Sequence, residues 1–189
     1  MRYVLIGTVL TLAACGGGGA GDGGVGPGVT YSLRNDGFAV TGAAFQAGFV
    51  TGEEAAVTLG PVPRGFQVKL VRFLYGGAAT ARTVTLKIYG ETGTATPGTL
   101  LHSADFFVTP SDTAIQELDI TGSNVTLPAG SVRVSILFQD GGLPSVATDG
   151  DGITPNRNWA ATAAPAGWYA SSDLGVAGDW IIRAEVETL

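Results

Sequence analysis

Two segments with regular alternation decide the fold of this chain: Thr83-Val84-Thr85-Leu86-Lys87-Ile88-Tyr89 and Ser131-Val132-Arg133-Val134-Ser135-Ile136-Leu137-Phe138. In both segments apolar side chains occupy every second position, and the positions between them are mostly polar. A period of two is typical of a β-strand that buries one face of its sheet. The pattern therefore predicts sheets with one buried face, as antiparallel sheets commonly have.

The same alternation continues toward both ends of the chain. Trp180, Ile182, Ala184 and Val186 predict a strand near the C-terminus, with charged residues at the positions that follow Ile182 and Ala184. Within segment 66–75 the apolar positions change phase, which predicts a bulge or a change of exposure near Leu70. Further strand candidates are segments 43–51, 55–59, 100–108 and 114–120 and a short piece around Val146.

Glycine and proline pairs separate these strand candidates, and they predict turns. They occur at Gly60-Pro61, Gly76-Gly77, Pro97-Gly98, Pro128-Ala129-Gly130 and Gly141-Gly142. No window of ten or more residues shows the period of 3.6 that marks a helix. The spacing predicts an all-β protein, an antiparallel β-sandwich of jelly-roll type in a single globular domain, with segment 141–177 as a long loop. An immunoglobulin-like sandwich and a closed barrel are the alternatives.

Charge and cysteine content restrict the partners and the means of stabilisation. The chain has 189 residues, a formal net charge of −6 and a single cysteine. An acidic chain with scattered basic residues is poorly suited to nucleic acid or to anionic lipid headgroups. Because segment 31–189 has no cysteine, no disulfide can staple it, and apolar burial must hold it together, alone or with a metal ion.

The first fifteen residues have the composition of a secretory signal. One basic residue, Arg2, precedes an apolar run over positions 3–12, which is shorter than the ~20 residues that a membrane-spanning helix needs. The ending Leu12-Ala13-Ala14-Cys15 resembles the lipobox of bacterial lipoproteins. That resemblance implies removal of residues 1–14 as a signal peptide, lipidation of Cys15 and anchoring of the protein in a membrane. An uncleaved leader with an ordinary cysteine is the alternative.

The resemblance also implies a location in the bacterial cell envelope. Gly16 follows the cysteine where lipoproteins of the inner membrane often carry aspartate, so the outer membrane is the expected location. Nine of the thirteen residues in segment 16–28 are glycine, a composition typical of a flexible linker. We therefore expect residues 15–30 to form a tether and residues 31–189 to form the β-sandwich domain.

A second resemblance extends over roughly residues 66–186. It is carried by the following motifs: Val84-Thr85-Leu86-Lys87-Ile88-Tyr89, Pro97-Gly98-Thr99-Leu100-Leu101, Pro128-Ala129-Gly130, Asp149 to Asp151, Asn156-Arg157-Asn158-Trp159 and Gly178-Asp179-Trp180-Ile181-Ile182-Arg183-Ala184. Together these resemble jelly-roll accessory modules of secreted bacterial proteins, which often accompany peptidases and other exported enzymes. The resemblance implies a non-catalytic β-sandwich without a fixed ligand.

Few residues carry the chemistry that catalysis needs. The single histidine, His102, lies in a predicted strand, where a structural role is the commoner one. No Gly-x-Ser-x-Gly motif occurs, and no cysteine is present after Cys15. A pair of carboxylates brought together from distant positions is the enzymatic alternative. The sequence therefore predicts that the protein is not an enzyme.

A glycine-rich acidic segment offers a candidate metal site. Asp149 and Asp151 alternate with glycine and could place oxygen ligands around Ca²⁺, a cation that takes six to eight of them. The segment lacks the glutamate and the flanking helices of an EF-hand. The competing hypothesis is that aspartate and glycine simply form tight turns here.

Aromatic and amide side chains near that segment offer a candidate ligand site. These residues are Trp159, Trp168, Tyr169, Asn156, Arg157 and Asn158. Exposed rings beside amide and charged groups are suited to stacking on sugars, whereas large aromatic residues also fill protein cores. Trp180 is predicted to lie in the core because it belongs to a regular alternation. Trp168 is expected to pack in the core or at its rim, and Trp159 fits either role.

Two functional hypotheses follow from these observations. The first is a membrane-anchored envelope lipoprotein whose β-sandwich serves a structural or protein-interaction role. The second is a carbohydrate-binding module, stabilised by Ca²⁺ if the acidic segment binds it, that recognises an envelope or external glycan. The exposure of the three tryptophans distinguishes them, because stacking on sugar needs an exposed ring.

Overall fold

A computed structural model describes residues 26–39 and 42–189, and all its regular strands pair antiparallel. The signal peptide, Cys15 and the first part of the expected tether lie outside the described residues. The strands are β1 (Thr30–Leu33), β2 (Ala44–Phe45), β3 (Glu54–Val62), β4 (Phe66–Phe73), β5 (Tyr75–Gly76), β6 (Arg82–Gly90), β7 (Leu100–Val108), β8 (Gln116–Asp119), β9 (Thr126–Leu127), β10 (Gly130–Phe138), β11 (Ser145–Thr148), β12 (Asn158–Ala163), β13 (Ala166–Ala170) and β14 (Ile182–Thr188).

Two sheets form the body of the protein. The larger sheet has six strands in the order β13-β12-β3-β10-β6-β7. The smaller has the order β1-β14-β4-β8, with β9 also paired to β4, and a short ladder β2-β11-β5 adds a third sheet. The predicted all-β, single-domain sandwich is confirmed, whereas its jelly-roll connectivity stays a prediction. Helical structure in the described part is limited to 3₁₀ turns at Thr121–Ser123 and Ser171–Leu174.

The core lies between the inner faces of the two main sheets. It is built from the alternating residues that the sequence indicated, such as Leu86 on β6, Val134 on β10 and Val186 on β14, all fully buried. Burial of each large aliphatic or aromatic side chain contributes about 1.5–3 kcal/mol, so this set is the main source of stability. Trp180 belongs to the core, as predicted.

The phase change in β4 corresponds to a real irregularity. Leu70 lies opposite Glu185, but the next pair joins Val68 to Val186, so Lys69 has no partner of its own on β14. One extra residue on a strand reverses the side of the sheet on which the following side chains lie. The bulge therefore lets both Val68 and Val71 reach the core.

The prediction of one long loop over residues 141–177 is wrong. Strand β11 confirms the short strand predicted around Val146, but the sequence does not indicate the hairpin of β12 and β13, which adds two strands to the larger sheet beside β3. The hairpin is rich in alanine, and Thr162 is its only β-branched residue, so it has no regular alternation of valine or isoleucine by which a strand is recognised. The hairpin forms strands because β12 pairs with β3, and its own composition does not indicate this.

The N-terminal end of the domain is tied to the C-terminal strand. β1 begins at Thr30, one residue before the expected domain boundary, and Gly28 N donates a hydrogen bond to Thr188 O at 2.7 Å. Further along, Arg183 on β14 binds the buried carboxylate of Asp36, with an Nε–Oδ2 distance of 3.0 Å. Because such charge-assisted bonds are stronger than neutral ones, they hold segment 34–39 against the smaller sheet.

Candidate functional site

The acidic segment after β11 forms a network of internal hydrogen bonds. Asp149 is 5% exposed, and its carboxylate accepts bonds from Gly37 N and Asp179 N, both at 2.8 Å. The backbone N–H of Asp149 donates in turn to Asp179 O at 3.0 Å. Asp149 therefore joins its own segment to the segments around Gly37 and Asp179, and the partner atoms in both are backbone atoms.

Asp179 is the second centre of this network, and the sequence motifs gave it no such role. Its carboxylate accepts hydrogen bonds from Thr154 N, Thr154 Oγ1 and Asn158 Nδ2, at 2.6, 2.6 and 2.5 Å. Asn158 also accepts a bond from Trp180 N through Oδ1 at 2.9 Å. Asn158 is buried, so its amide fixes the loop to the end of the last strand and is not presented to a ligand.

The carboxylate of Asp149, one of the two predicted Ca²⁺ ligands, is used in long-range hydrogen bonds within the fold. Both oxygens of Asp149 face backbone N–H groups, which a cation cannot replace without leaving those donors unsatisfied. Within residues 26–39 and 42–189, no group of three or more acidic, histidine or cysteine side chains is placed to hold a metal ion. This geometry does not fit a calcium centre, and the bonds of Asp149 also reach far beyond the local turn of the competing hypothesis. Calcium binding and local turn formation both stay predictions.

Asp151 affects the pKa of Asp149 through a side-chain hydrogen bond and, less strongly, through its charge. Burial, opposed in part by the Gly37 N–H, together with the hydrogen-bonded and charged carboxyl of Asp151 raises the pKa of Asp149 to about 6. A carboxyl whose pKa is higher in the folded state than in the unfolded chain stabilises the fold when it is protonated, below pH ~4. That stabilisation is lost as the pH rises through about 6.

We expect Asp151→Asn to raise the melting temperature at pH 7.5 by a few degrees, because the variant removes the carboxyl whose hydrogen bond and charge both oppose ionisation of Asp149. At pH 4, where Asp149 is largely protonated in the fold, the two proteins should melt alike. Thermal denaturation in calcium and in chelator at both pH values measures the effect. A calcium-dependent rise in the wild-type melting temperature that disappears in Asp151→Asn would support the metal hypothesis instead.

Trp159 and Trp168 occupy the outer face of the larger sheet, whereas Tyr169 pairs with Ala160 and lies on the opposite face. Trp159 is buried, and its Nε1 donates to Thr58 Oγ1 at 2.9 Å. Trp168 on the neighbouring strand is partly buried and meets Tyr89 edge-on at a centroid distance of 6.0 Å. Trp180 is buried in the core, so two of the three tryptophans have no exposed face for a sugar. Tyr169, on β13, is partly buried.

Asn156 and Arg157 belong to the turn that precedes β12. Asn156 is exposed and has a φ of 58°, in the left-handed region that asparagine tolerates better than most residues. The carbonyl of Arg157 accepts a hydrogen bond from Thr58 N at 2.8 Å, so its backbone continues the pairing with β3. The structure thus places these two residues at a strand start, near Asn158 and apart from Trp168.

A buried ion pair stabilises the outer face beneath the tryptophans. Arg133 on β10 is fully buried, and its guanidinium binds the Glu91 carboxylate at 2.8 and 3.1 Å. It also donates to the carbonyls of Thr94 and Ala95 in the loop after β6. Its Cζ lies 4.6 Å from the ring centroid of Trp159, within the range of a cation–π contact.

A second polar cluster lies beside this ion pair. The buried carboxylate of Glu54 on β3 accepts hydrogen bonds from Lys87 Nζ and Ser135 Oγ, both at 2.6 Å, and from Tyr89 Oη at 3.2 Å. Burial and the Glu54 charge raise the pKa of Tyr89, so the phenol stays neutral. The polar positions of the alternating strands thus form this cluster, but alternation alone cannot indicate which of them pair.

A cleft of about 240 Å³ lies at the β12 end of the sandwich. Its lining includes Phe49, Trp180, Val176 and Leu174, with Gln46 and Glu53 as polar members. Glu53 accepts hydrogen bonds from the backbone N–H groups of Val50 and Ala163. The polar groups of the cleft therefore take part in holding loops together.

His102 is placed on β7 and has no acidic or basic partner that the structure shows. Its Nε2 is buried and without a hydrogen-bond partner among the described residues, and burial lowers the pKa of the imidazole. A general base needs a partner that orients it and access to substrate. The geometry at His102 provides no such partner in the part of the chain that the structure describes.

Comparisons with protein families, with curated proteins and with solved structures found no match to this chain. Among the described residues, no helix has both the length and the apolar character required to cross a membrane.

Proposed function

We propose that this protein is a lipid-anchored lipoprotein of the bacterial cell envelope that displays a non-catalytic β-sandwich for a structural or protein-interaction role. The lipobox-like ending at Cys15 supports the anchor, and Gly16 supports the outer membrane as its location. The glycine-rich segment that follows would separate the domain from the membrane surface.

One observation carries the assignment of the domain. The side chains that best matched a ligand site are used within the fold: Asp149 and Asn158 bind backbone groups, and Trp159 is buried against Thr58. Side chains committed in this way support the fold and are not free for a soluble ligand. A carbohydrate-binding role would depend on the partly buried rings of Trp168 and Tyr169 alone.

We expect Cys15→Ala to abolish acyl labelling of the full chain and its recovery in the membrane fraction. The physical reason is that acyl chains contribute about 0.8 kcal/mol per buried CH₂, and no other anchor is proposed. Metabolic labelling with a fatty-acid analogue, followed by membrane fractionation, measures both properties. Asp22→Asn, which alters the expected tether but not the lipobox, is the matched control and should behave as wild type. Persistent labelling of the Cys15→Ala protein would contradict the proposed anchor.

A further inference from the structure

The β7 strand is the long free edge of the larger sheet. It extends over nine residues, Leu100–Val108, and among the strands of residues 26–39 and 42–189 it pairs with β6 alone. The terminal strands of the other edges, β13, β1 and β8, have five, four and four residues. Proteins often keep edge strands short, which prevents pairing with another chain. With nine residues, β7 is not protected in this way.

The side chains of β7 also favour association. Phe107 is 76% exposed, and Leu100 and Leu101 are 48% and 44% exposed. The strand contains no lysine, arginine or proline, the residues that most often protect an edge. Its single acidic residue, Asp105, accepts a hydrogen bond from Thr85 Oγ1 at 2.7 Å. A free edge with exposed apolar side chains and one charge is suited to a strand of similar composition.

The sequence of β7 is complementary to itself in the antiparallel direction. When two copies overlap along the whole strand, the symmetry axis passes through Ala104, and Leu101 lies opposite Phe107 of the second copy. Ser103 then lies opposite Asp105, so the two aspartates do not face each other. Directly opposite side chains point to the same face of a sheet, so both apolar pairs would lie on the outer face, where Phe107 is exposed.

Other registers are less favourable. An axis through Asp105 would place the two carboxylates directly opposite each other, which destabilises a strand pair. An axis through Phe106 would place Phe107 opposite Asp105 and leave Leu101 without a partner. The bulge at Leu101, which separates the Ile88–His102 pair from the Tyr89–Leu100 pair, brings both leucines to the surface at that end of the strand.

We propose that two copies of this chain associate by antiparallel pairing of their β7 strands about Ala104, which joins the two six-stranded sheets into one continuous sheet. The partner at this edge is thus a second copy of the chain. Because a two-fold axis uses the same edge of both copies, the assembly ends at a dimer. The inference rests on the proposed protein-interaction role but does not depend on the lipid anchor. A contact of one strand pair is small, so the dimer should be weak and concentration-dependent.

The test uses the full chain with Cys15→Ala in nonionic detergent, so that the outcome is independent of lipidation. Sedimentation velocity from about 1 to about 500 µM should show a reversible monomer–dimer equilibrium. Phe107→Lys should weaken the dimer at least about tenfold, because the Leu101–Phe107 pair occurs twice in the symmetric dimer and lysine protects an edge. Val50→Lys alters a comparably accessible apolar residue away from β7 and should leave the dimer unchanged.

Disulfide formation tests the register separately, since Cys15→Ala removes the only native cysteine. A mixture of the Ser103→Cys and Asp105→Cys proteins should form disulfide-linked dimers on mild oxidation, because opposite residues meet the distance that a disulfide requires. Each protein alone, and Ser32→Cys on the edge strand β1, should form few. A monomer throughout the concentration range, or a dimer that Phe107→Lys leaves intact, would overturn the proposal.

Discussion

Replacing Glu91 with alanine is expected to lower the free energy of unfolding by about 3–5 kcal/mol, because the Arg133 guanidinium would remain buried without its carboxylate. Arg133 is fully buried, and burial alone already lowers its pKa, an effect that Glu91 opposes. The guanidinium would still donate hydrogen bonds to two carbonyls of the adjacent loop, but these carbonyls carry no charge. Equilibrium unfolding in urea, followed by far-ultraviolet circular dichroism, measures the loss.

Glu117→Ala is the matched control for this prediction. Glu117 also binds an arginine, Arg72, at 2.6 Å, but its side chain is 51% exposed and that of Arg72 is 29% exposed. An accessible pair of this kind contributes at most about 1 kcal/mol. The double variant Glu91→Leu with Arg133→Leu should regain part of the lost stability, because it removes the unpaired charge. Similar losses for Glu91→Ala and Glu117→Ala would show that burial does not determine the energy of the Glu91–Arg133 pair.

The same ion pair has a definite pH dependence. Burial would raise the pKa of Glu91, but hydrogen bonds from Thr58, Gly93 N–H and Arg133 outweigh it and lower the pKa below its ordinary value. A carboxylate with a depressed pKa stabilises the fold above the pKa of the unfolded chain, and this stabilisation is lost as the pH falls through the folded value. Glu91 and Asp149 therefore act in opposite directions when the solution is acidified.

The sequence predicts the strands that alternate strongly and misses those that depend on tertiary pairing. β6 and β10 were identified because valine, leucine and isoleucine recur at every second position. The hairpin of β12 and β13 consists mainly of alanine, glycine and aromatic residues, and it becomes part of the sheet through its register with β3. Local composition does not encode that register, so a loop was the natural expectation.

The candidate site shows the same limit. The sequence indicates Asp149 as a metal ligand and Asn158 as a ligand-binding residue, but in the structure their hydrogen-bond partners are Gly37, Asp179 and Trp180, which lie far away in sequence. A motif indicates that a side chain can accept or donate hydrogen bonds, whereas only the fold decides whether a ligand or the backbone takes them. The burial of Arg133 was not predictable for the same reason, since its strand position alone suggests an exposed cation.

Gly178→Ala is expected to lower the melting temperature by about 6–12 °C, the equivalent of roughly 3 kcal/mol for a chain of this size. An added Cβ would lie 2.0 Å from the carbonyl oxygen of Asp149, and a backbone atom cannot move aside as a flexible side chain can. The strand end must shift, which breaks the bonds between Asp149 and Asp179 and disturbs the Trp180 contact with Asn158. Thermal denaturation and the near-ultraviolet signal of tryptophan measure both consequences.

Gly122→Ala is the matched control, because nothing lies within 4 Å of the added Cβ and the residue is exposed. That variant should be neutral or stabilise the protein by up to about 1 kcal/mol, since alanine restricts the unfolded chain. The two substitutions thus make the same chemical change with opposite expected signs, and only the close approach at Asp149 distinguishes them. Equal melting temperatures for the two variants would mean that the strand end can move away from Asp149 without loss, and that the hydrogen bonds of Asp149 and Asp179 do not constrain the fold.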